Sequence, residues 1–140
     1  MYEVEYRVDC ESCGGDALCT AGASPAGGQV EWSYDVSCAV CGPGTIACGS
    51  GPVPADLRAR LLARHGPVHL RLDDPSAGAV TVMKVLRAEL GGSPAAAKAT
   101  LGLIRAGGYA GVRAEVEVLA LRLRAAGAGA GVTEGPRPPG

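Results

Sequence analysis

Four cysteines occur in two matching motifs of a kind that binds metal ions. The motifs read C-E-S-C-G at residues 10–14 and C-A-V-C-G at residues 38–42. Two residues between cysteines let one tight turn direct both sulfurs at one ion, and the following glycine permits a positive φ angle. The pair of motifs predicts a tetrahedral site for one structural Zn²⁺, with four ligands: Cys10, Cys13, Cys38 and Cys41. Such a closed site leaves no position for water, so we expect a protein that is not an enzyme.

The alternative states of these thiols are reduced cysteines, disulfides and an iron–sulfur centre. Residues 1–5, M-Y-E-V-E, lack the basic and apolar stretches of an export signal. No segment approaches the roughly 18 apolar residues that span a bilayer. We therefore expect a cytoplasmic protein with no membrane segment, where reducing conditions favour metal ligation over disulfides.

Other residues with reactive side chains show no catalytic pattern. They are two further cysteines, two histidines and two adjacent aspartates: Cys19, Cys48, His65, His69, Asp73 and Asp74. The cysteines are expected to be small buried residues, with a redox switch as the alternative. The histidines suit a helix end and a strand surface, and the aspartates suit a turn. The glycine-rich stretches lack the lysine of a phosphate-binding loop.

The first 50 residues are predicted to form a small antiparallel zinc ribbon. Residues 2–9 and 30–37 alternate apolar and polar side chains, as half-buried strands do. Residues 14–28 are rich in Gly, Ala and Ser and predict a flexible loop, with a short strand near residues 17–20 as an option. A unit this small needs a staple such as a metal ion to fold.

Aromatic side chains are concentrated on the apolar faces of the two ribbon strands. Four of them lie there: Tyr2, Tyr6, Trp32 and Tyr34. We expect a helix or the C-terminal domain to cover this face, and the alternative is a stacking surface for bases or a peptide. The acidic residues of the same strands and the formal net charge of −1 argue against nucleic acid.

The remaining residues predict a second domain in which helices and strands alternate. The stretch from Gly49 to Pro54 is typical of a linker, and we place the linker between the two domains at residues 51–66. It contains a short helix over 55–65 and precedes a strand over 68–72 and a turn over 73–76. The first predicted helix runs from Ala77 to the glycines at 91–92. The second begins after its N-cap Ser93 and ends before the glycines at 107–108, and the third covers 115–126. Short strands are predicted at 109–112 and 128–132. Residues 133–140 read as a disordered tail. The predicted core is Val82, Leu86, Leu101, Ile104, Leu119 and Leu123.

Three stretches of this half carry a resemblance to a known family. V-T-V-M-K-V-L-R at 80–87, Gly91 with Ala97-Lys98, and E-V-L-A-L-R-L-R-A-A-G-A at 117–128 resemble the C-terminal domain of the ribosomal stalk protein of the bacterial large subunit. The resemblance covers residues 67–132 and implies a β-α-α-β-α-β fold. That family recruits translational GTPases through basic residues of its first two helices, and this chain has basic residues at those positions: Lys84, Arg87 and Lys98.

The chain also departs from that family. Ala96 stands where the family has Glu, and a ribbon replaces the dimerisation helices and hinge of the stalk protein. The same superfamily includes a protease adaptor that delivers proteins with destabilising N-terminal residues. Leu72-Asp73-Asp74 is similar to the Asn-Asp-Asp sequence at the entrance of that adaptor's binding pocket. Leu72 replaces the asparagine expected to hold the substrate's α-amino group, and the adaptor's second-helix histidine has no counterpart near Ile104-Arg105.

Both relatives bind proteins without catalysing a reaction. The sequence therefore predicts an α+β protein with a ribbon (1–50), a linker (51–66), a docking domain (67–132) and a tail (133–140). The expected function is a zinc-binding adaptor or regulator of an unidentified protein partner, translation-associated or of an immunity type. The alternatives are a nucleic-acid-binding ribbon protein and a thiol-based redox or metal-responsive switch.

Overall fold

The computed structural model describes residues 2–73 and 78–134, and these form an α+β protein, as predicted. Two antiparallel sheets have the strand orders β1-β2-β3-β4 and β6-β5-β7. The elements are β1 Tyr2–Asp9, β2 Asp16–Ala26, β3 Gln29–Cys38, β4 Gly42–Ser50, α1 Ala55–His65, β5 Val68–Leu72, α2 Ala79–Leu90, α3 Pro94–Arg105, β6 Ala110–Gly111, α4 Arg113–Ala125 and β7 Ala130–Glu134.

The first sheet is larger than the predicted ribbon. The prediction of a flexible loop over residues 14–28 is wrong, because most of these residues form a strand. Most of that segment is β2, whose residues 16–23 pair with all of β1 and whose residues 17–26 pair with β3. Small side chains occupy its inward positions: Ala17, Cys19, Ala21 and Ala23, all buried. Small residues let the sheet approach the helices closely. The Gly, Ala and Ser content that is typical of loops therefore belongs to a packed strand in this protein.

The second half follows the predicted order of elements. Helices α1 and α3 begin and end within one residue of expectation, and the Ser93 side chain accepts a hydrogen bond from the Ala96 amide at 3.1 Å, which makes it the N-cap. Strand β5 pairs with β6 on one side and with β7 on the other. The six predicted core residues are all buried.

Three boundaries differ from expectation or fall outside the described residues. Strand β4 continues to Ser50, so the first two residues of the linker-like stretch Gly49 to Pro54 belong to a strand. Strand β7 includes Thr133 and Glu134, so the start of the predicted tail is wrong, and residues 135–140 lie outside the described part. The predicted turn over 73–76 and the start of the helix at Ala77 lie mostly within residues 74–77, which are not described either.

Helix α4 contributes side chains to two separate cores. One face, with Val116, Leu119 and Leu123, packs with α2, α3 and β5. The other places Ala114 and Val118 in a second core with strands of the first sheet and with α1. The Arg122 guanidinium reinforces this contact by donating two hydrogen bonds to the Gly28 carbonyl oxygen, at 2.8 and 3.1 Å.

The aromatic face of the sheet is covered by helices, as expected. All four aromatic side chains pack against the second core, and the Tyr34 hydroxyl donates a hydrogen bond to the Asp56 carboxylate of α1 at 3.1 Å. Trp32 lies across β4 at Gly49, where a Cβ would overlap the indole ring, so a residue without a side chain is required there. The face is therefore a packing surface within the described residues.

Candidate metal centre

Both cysteine motifs lie at the same end of the first sheet. The first forms the connection from β1 to β2, and the second forms the tight turn between β3 and β4, where Cys38 pairs with Gly42. Residues 16–38 run out along β2 and return along β3, so the long separation between the motifs closes in space. The two hairpin ends therefore bring four sulfurs together.

The four sulfurs form one compact cluster, whose members are Cys10, Cys13, Cys38 and Cys41. All four Sγ atoms lie within 4.8 Å of one another. The Sγ atoms of Cys10 and Cys41 are 3.9 Å apart, and those of Cys13 and Cys38 are 3.7 Å apart. A tetrahedral ion with bonds of about 2.3 Å to sulfur requires sulfur–sulfur distances of about 3.8 Å. The cluster could thus hold one metal ion.

Backbone geometry explains why a glycine follows each motif. Gly14 and Gly42 have φ angles of 71° and 84°, in the left-handed region that favours glycine. The Gly14 amide donates to the Cys10 carbonyl at 2.8 Å, which closes the first turn. The Gly15 amide then lies 3.4 Å from the Cys13 sulfur. The turns therefore direct sulfurs and backbone donors to the same point.

The cluster perturbs the acidity of its thiols in opposite directions. The backbone amides of Cys41 and Val40 lower the pKa of Cys38 to about 7. The neighbouring thiols of Cys13 and Cys10 raise the pKa of Cys41 to about 12. Four thiolates this close repel one another, so a cation between them is what allows all four to ionise together.

The two remaining cysteines lie on opposite faces of the first sheet. Cys19 is buried in the core, as expected for a small apolar residue, and pairs with Val36. Cys48 is exposed and pairs with Ser33, whose side chain alternates to the outer face. A disulfide between these two cysteines would require the sheet to rearrange.

The histidines and the first aspartate have structural contacts. His65 ends α1, where its Nε2 lies 2.8 Å from the Glu3 carbonyl oxygen and its ring packs edge-on against Tyr2. His69 lies in β5, opposite Ala110 and Thr133. Asp73 pairs with Arg71, and its neighbour Asp74 lies outside the described residues. No acid–base pair forms among the described members of this group.

The predicted docking residues are exposed. Lys84 and Arg87 lie on α2 and Lys98 lies on α3, and none of the three forms an ion pair with a residue in the described ranges. Three exposed apolar residues on the same helices were not predicted: Val80, Leu90 and Leu103, which are 70%, 50% and 53% exposed. Val80 could have been identified, since residues 80, 84 and 87 share one helical face.

Comparison with known proteins returns no relative. No protein family, no curated protein and no solved structure matches the chain. None of the described helices is both long and apolar enough to cross a bilayer.

Proposed function

We propose that this protein is a non-enzymatic docking protein, in which a Cys₄ zinc centre stabilises the first sheet and helices α2 and α3 bind a protein partner. The observation that carries the proposal is the composition of the exposed face of these helices. On α2 the basic side chains of Lys84 and Arg87 share one exposed helical face with Val80, and Leu90 is a further exposed apolar residue at the end of the helix.

This composition favours a protein partner over nucleic acid. Val80 is exposed on the same helical face as Lys84 and Arg87, and exposed apolar side chains rimmed by polar ones occur at protein interaction sites. Basic side chains beside them would direct the approach of an acidic partner, and the apolar residues would contribute the buried contacts. The described residues include acidic side chains on the first sheet, which do not suit a phosphate backbone. The resemblance to the ribosomal stalk domain supports the same two helices as the docking surface.

Zinc is the metal that suits four thiolates best. Soft sulfur ligands in a tetrahedral arrangement select zinc or an iron–sulfur centre. The short Cys-x-x-Cys-Gly turns and the sulfur separations near 3.8 Å fit a single zinc ion. The ion would then have a structural role, since four protein ligands complete its coordination.

The docking surface is tested by affinity capture from the source organism with a doubly charge-reversed protein, Lys84→Glu with Arg87→Glu. We expect this variant to lose the captured partner, more completely at low salt, because the steering charges are exposed and screened by ions. Zinc content and melting temperature should not change, because both side chains are exposed.

A matched control reverses two exposed arginines elsewhere, Arg7→Glu with Arg64→Glu. These residues lie on β1 and α1, away from α2 and α3. The control should retain the partner. Equal recovery with both double variants would remove the docking surface from α2 and α3.

A further inference from the structure

The two edges of the first sheet differ in how they are protected. Strand β1 carries a charged side chain at every second position: Glu3, Glu5, Arg7 and Asp9, all exposed. The ring of His65 also covers this edge at the Glu3 carbonyl oxygen. Charges and a covering group are common ways to keep a sheet edge from pairing with another strand.

Strand β4, at the other edge, contains no charged residue, and no described residue covers it. Its sequence is G-P-G-T-I-A-C-G-S. Ile46 is 72% exposed, and Cys48 is exposed two residues later. A register irregularity opposite Asp35 and Ser37 of β3 disturbs β4 near the metal motif, which leaves residues 46–50 as the regular edge.

The pairing of β4 with β3 identifies the backbone groups that point outward. The Gly51 amide donates to the Val30 carbonyl of β3 at 2.9 Å. Because successive residues of an antiparallel strand alternate in direction, Gly49 and Ala47 also point to β3. The amides and carbonyls of the intervening residues therefore point to the free edge: Ile46, Cys48 and Ser50.

From this edge we infer that β4 is a dimerisation strand whose partner is β4 of a second copy of this chain, paired antiparallel about a two-fold axis at Ala47. In this register the outward backbone N–H and C=O of Ile46 in each copy face those of Cys48 in the other copy. Each N–H can therefore donate a hydrogen bond to a facing C=O. The strand is uncharged, so a second copy meets no like-charge repulsion. The Ile46 side chain gains an apolar neighbour in Cys48 of the other copy.

The expected dimer is weak. One strand pair buries less than the 1,200–2,000 Å² that is typical of stable interfaces, so we expect a dissociation constant in the range of about micromolar to millimolar. Dimerisation would join two first sheets into one eight-stranded sheet and leave α2 and α3 of each copy free. It would therefore provide two docking surfaces per particle, which increases avidity for a multivalent partner.

Sedimentation equilibrium of the metal-loaded full chain, over a concentration series spanning that range, tests the inference. Ile46→Lys should weaken dimerisation by more than about tenfold, because a lysine on the edge strand opposes pairing. The matched control is Leu121→Lys, at an exposed apolar residue of α4 outside both β4 and the docking surface, and it should dimerise like the unmodified chain. Metal content of all three proteins is measured alongside, so a failure of the zinc proposal is recognised separately.

Amide hydrogen exchange identifies the strand. On concentration, the amides of Ile46, Cys48 and Ser50 should gain protection, while those of Ala47 and Gly49 are protected throughout by β3. A chain that stays monomeric over the whole series overturns the inference. So does a dimer that Ile46→Lys leaves intact, or one that protects β1 or α2 in place of β4.

Discussion

The two cores of the molecule are built from different kinds of residue. The core of α2, α3, β5 and one face of α4 consists mainly of large aliphatic side chains, such as Leu86 and Leu123, which are at most 1% exposed. The core under the first sheet has, among the described residues, only two buried leucines, Leu57 and Leu61, beside valines and small residues such as Cys19 and Ala21, and the aromatic side chains next to it are only partly buried. We therefore expect apolar burial to stabilise the first core, and the second to need a further constraint at the end of the sheet.

The largest expected effect comes from breaking the metal site. Cys38→Ser should remove metal binding and unfold the first sheet, because metal-binding free energy in such sites is folding free energy. Amide NMR spectra should lose the dispersed signals of residues 2–50. Cys48→Ser is the control, since Cys48 is exposed and lies outside the cluster, and its spectrum should remain dispersed.

A matched pair of core substitutions sharpens the comparison. Leu57 and Leu86 are both fully buried, one in each core. In the metal-loaded protein each leucine-to-alanine change should cost about 2–5 kcal/mol of unfolding free energy. Denaturant unfolding followed by fluorescence and circular dichroism measures both.

Chelation should then separate the two substitutions. Leu86→Ala should cost about the same without metal, because its core does not include the first sheet. Leu57→Ala should cost less than about 0.5 kcal/mol, because its core is no longer formed. An equal cost for both variants after chelation would mean that the cores do not differ in their dependence on metal.

The smallest expected effect concerns alkaline pH. Burial, followed by the hydrogen bond to Asp56, raises the pKa of Tyr34 from 10.0 to about 12. The folded state therefore holds this proton more tightly than the unfolded chain, so the stabilisation is complete below pH 10 and is lost as pH rises to about 12. Tyr34→Phe should show a smaller fall in melting temperature over this interval. Identical pH profiles for the two proteins would contradict the assignment.

The sequence predicts elements well where the helical or strand period is strong and propensities agree with it. Helix α3, with its Ser93 cap and Pro94 start, is such a case. Prediction from the sequence fails for β2, because Ala and Gly are not typical of strands. Their place in the structure depends on how closely the sheet approaches the helices. Val116 and Val118 alternate as in a strand, yet residues 115–126 are predicted as a helix and α4 confirms it; α4 buries two faces, one in each core, which blurs its helical period.

The candidate site shows the same division. Spacing alone predicts the four cysteines, because the motif and its glycine define the local turn before any tertiary contact forms. The exposed Leu90 and Leu103 could not be separated from core residues by type, since exposure depends on which helix face meets the core. The free β4 edge depends on strand order, which residues 42–50 do not encode locally.

The most direct test of the central claim is elemental analysis of the purified chain with stepwise chelation. The four-thiolate cluster predicts one zinc ion per chain, bound independently of Cys19 and Cys48, and loss of the first sheet's dispersed amide signals when the ion is removed. A chain that contains no metal and keeps those signals, or one whose sheet is unchanged after the ion is removed, would contradict it.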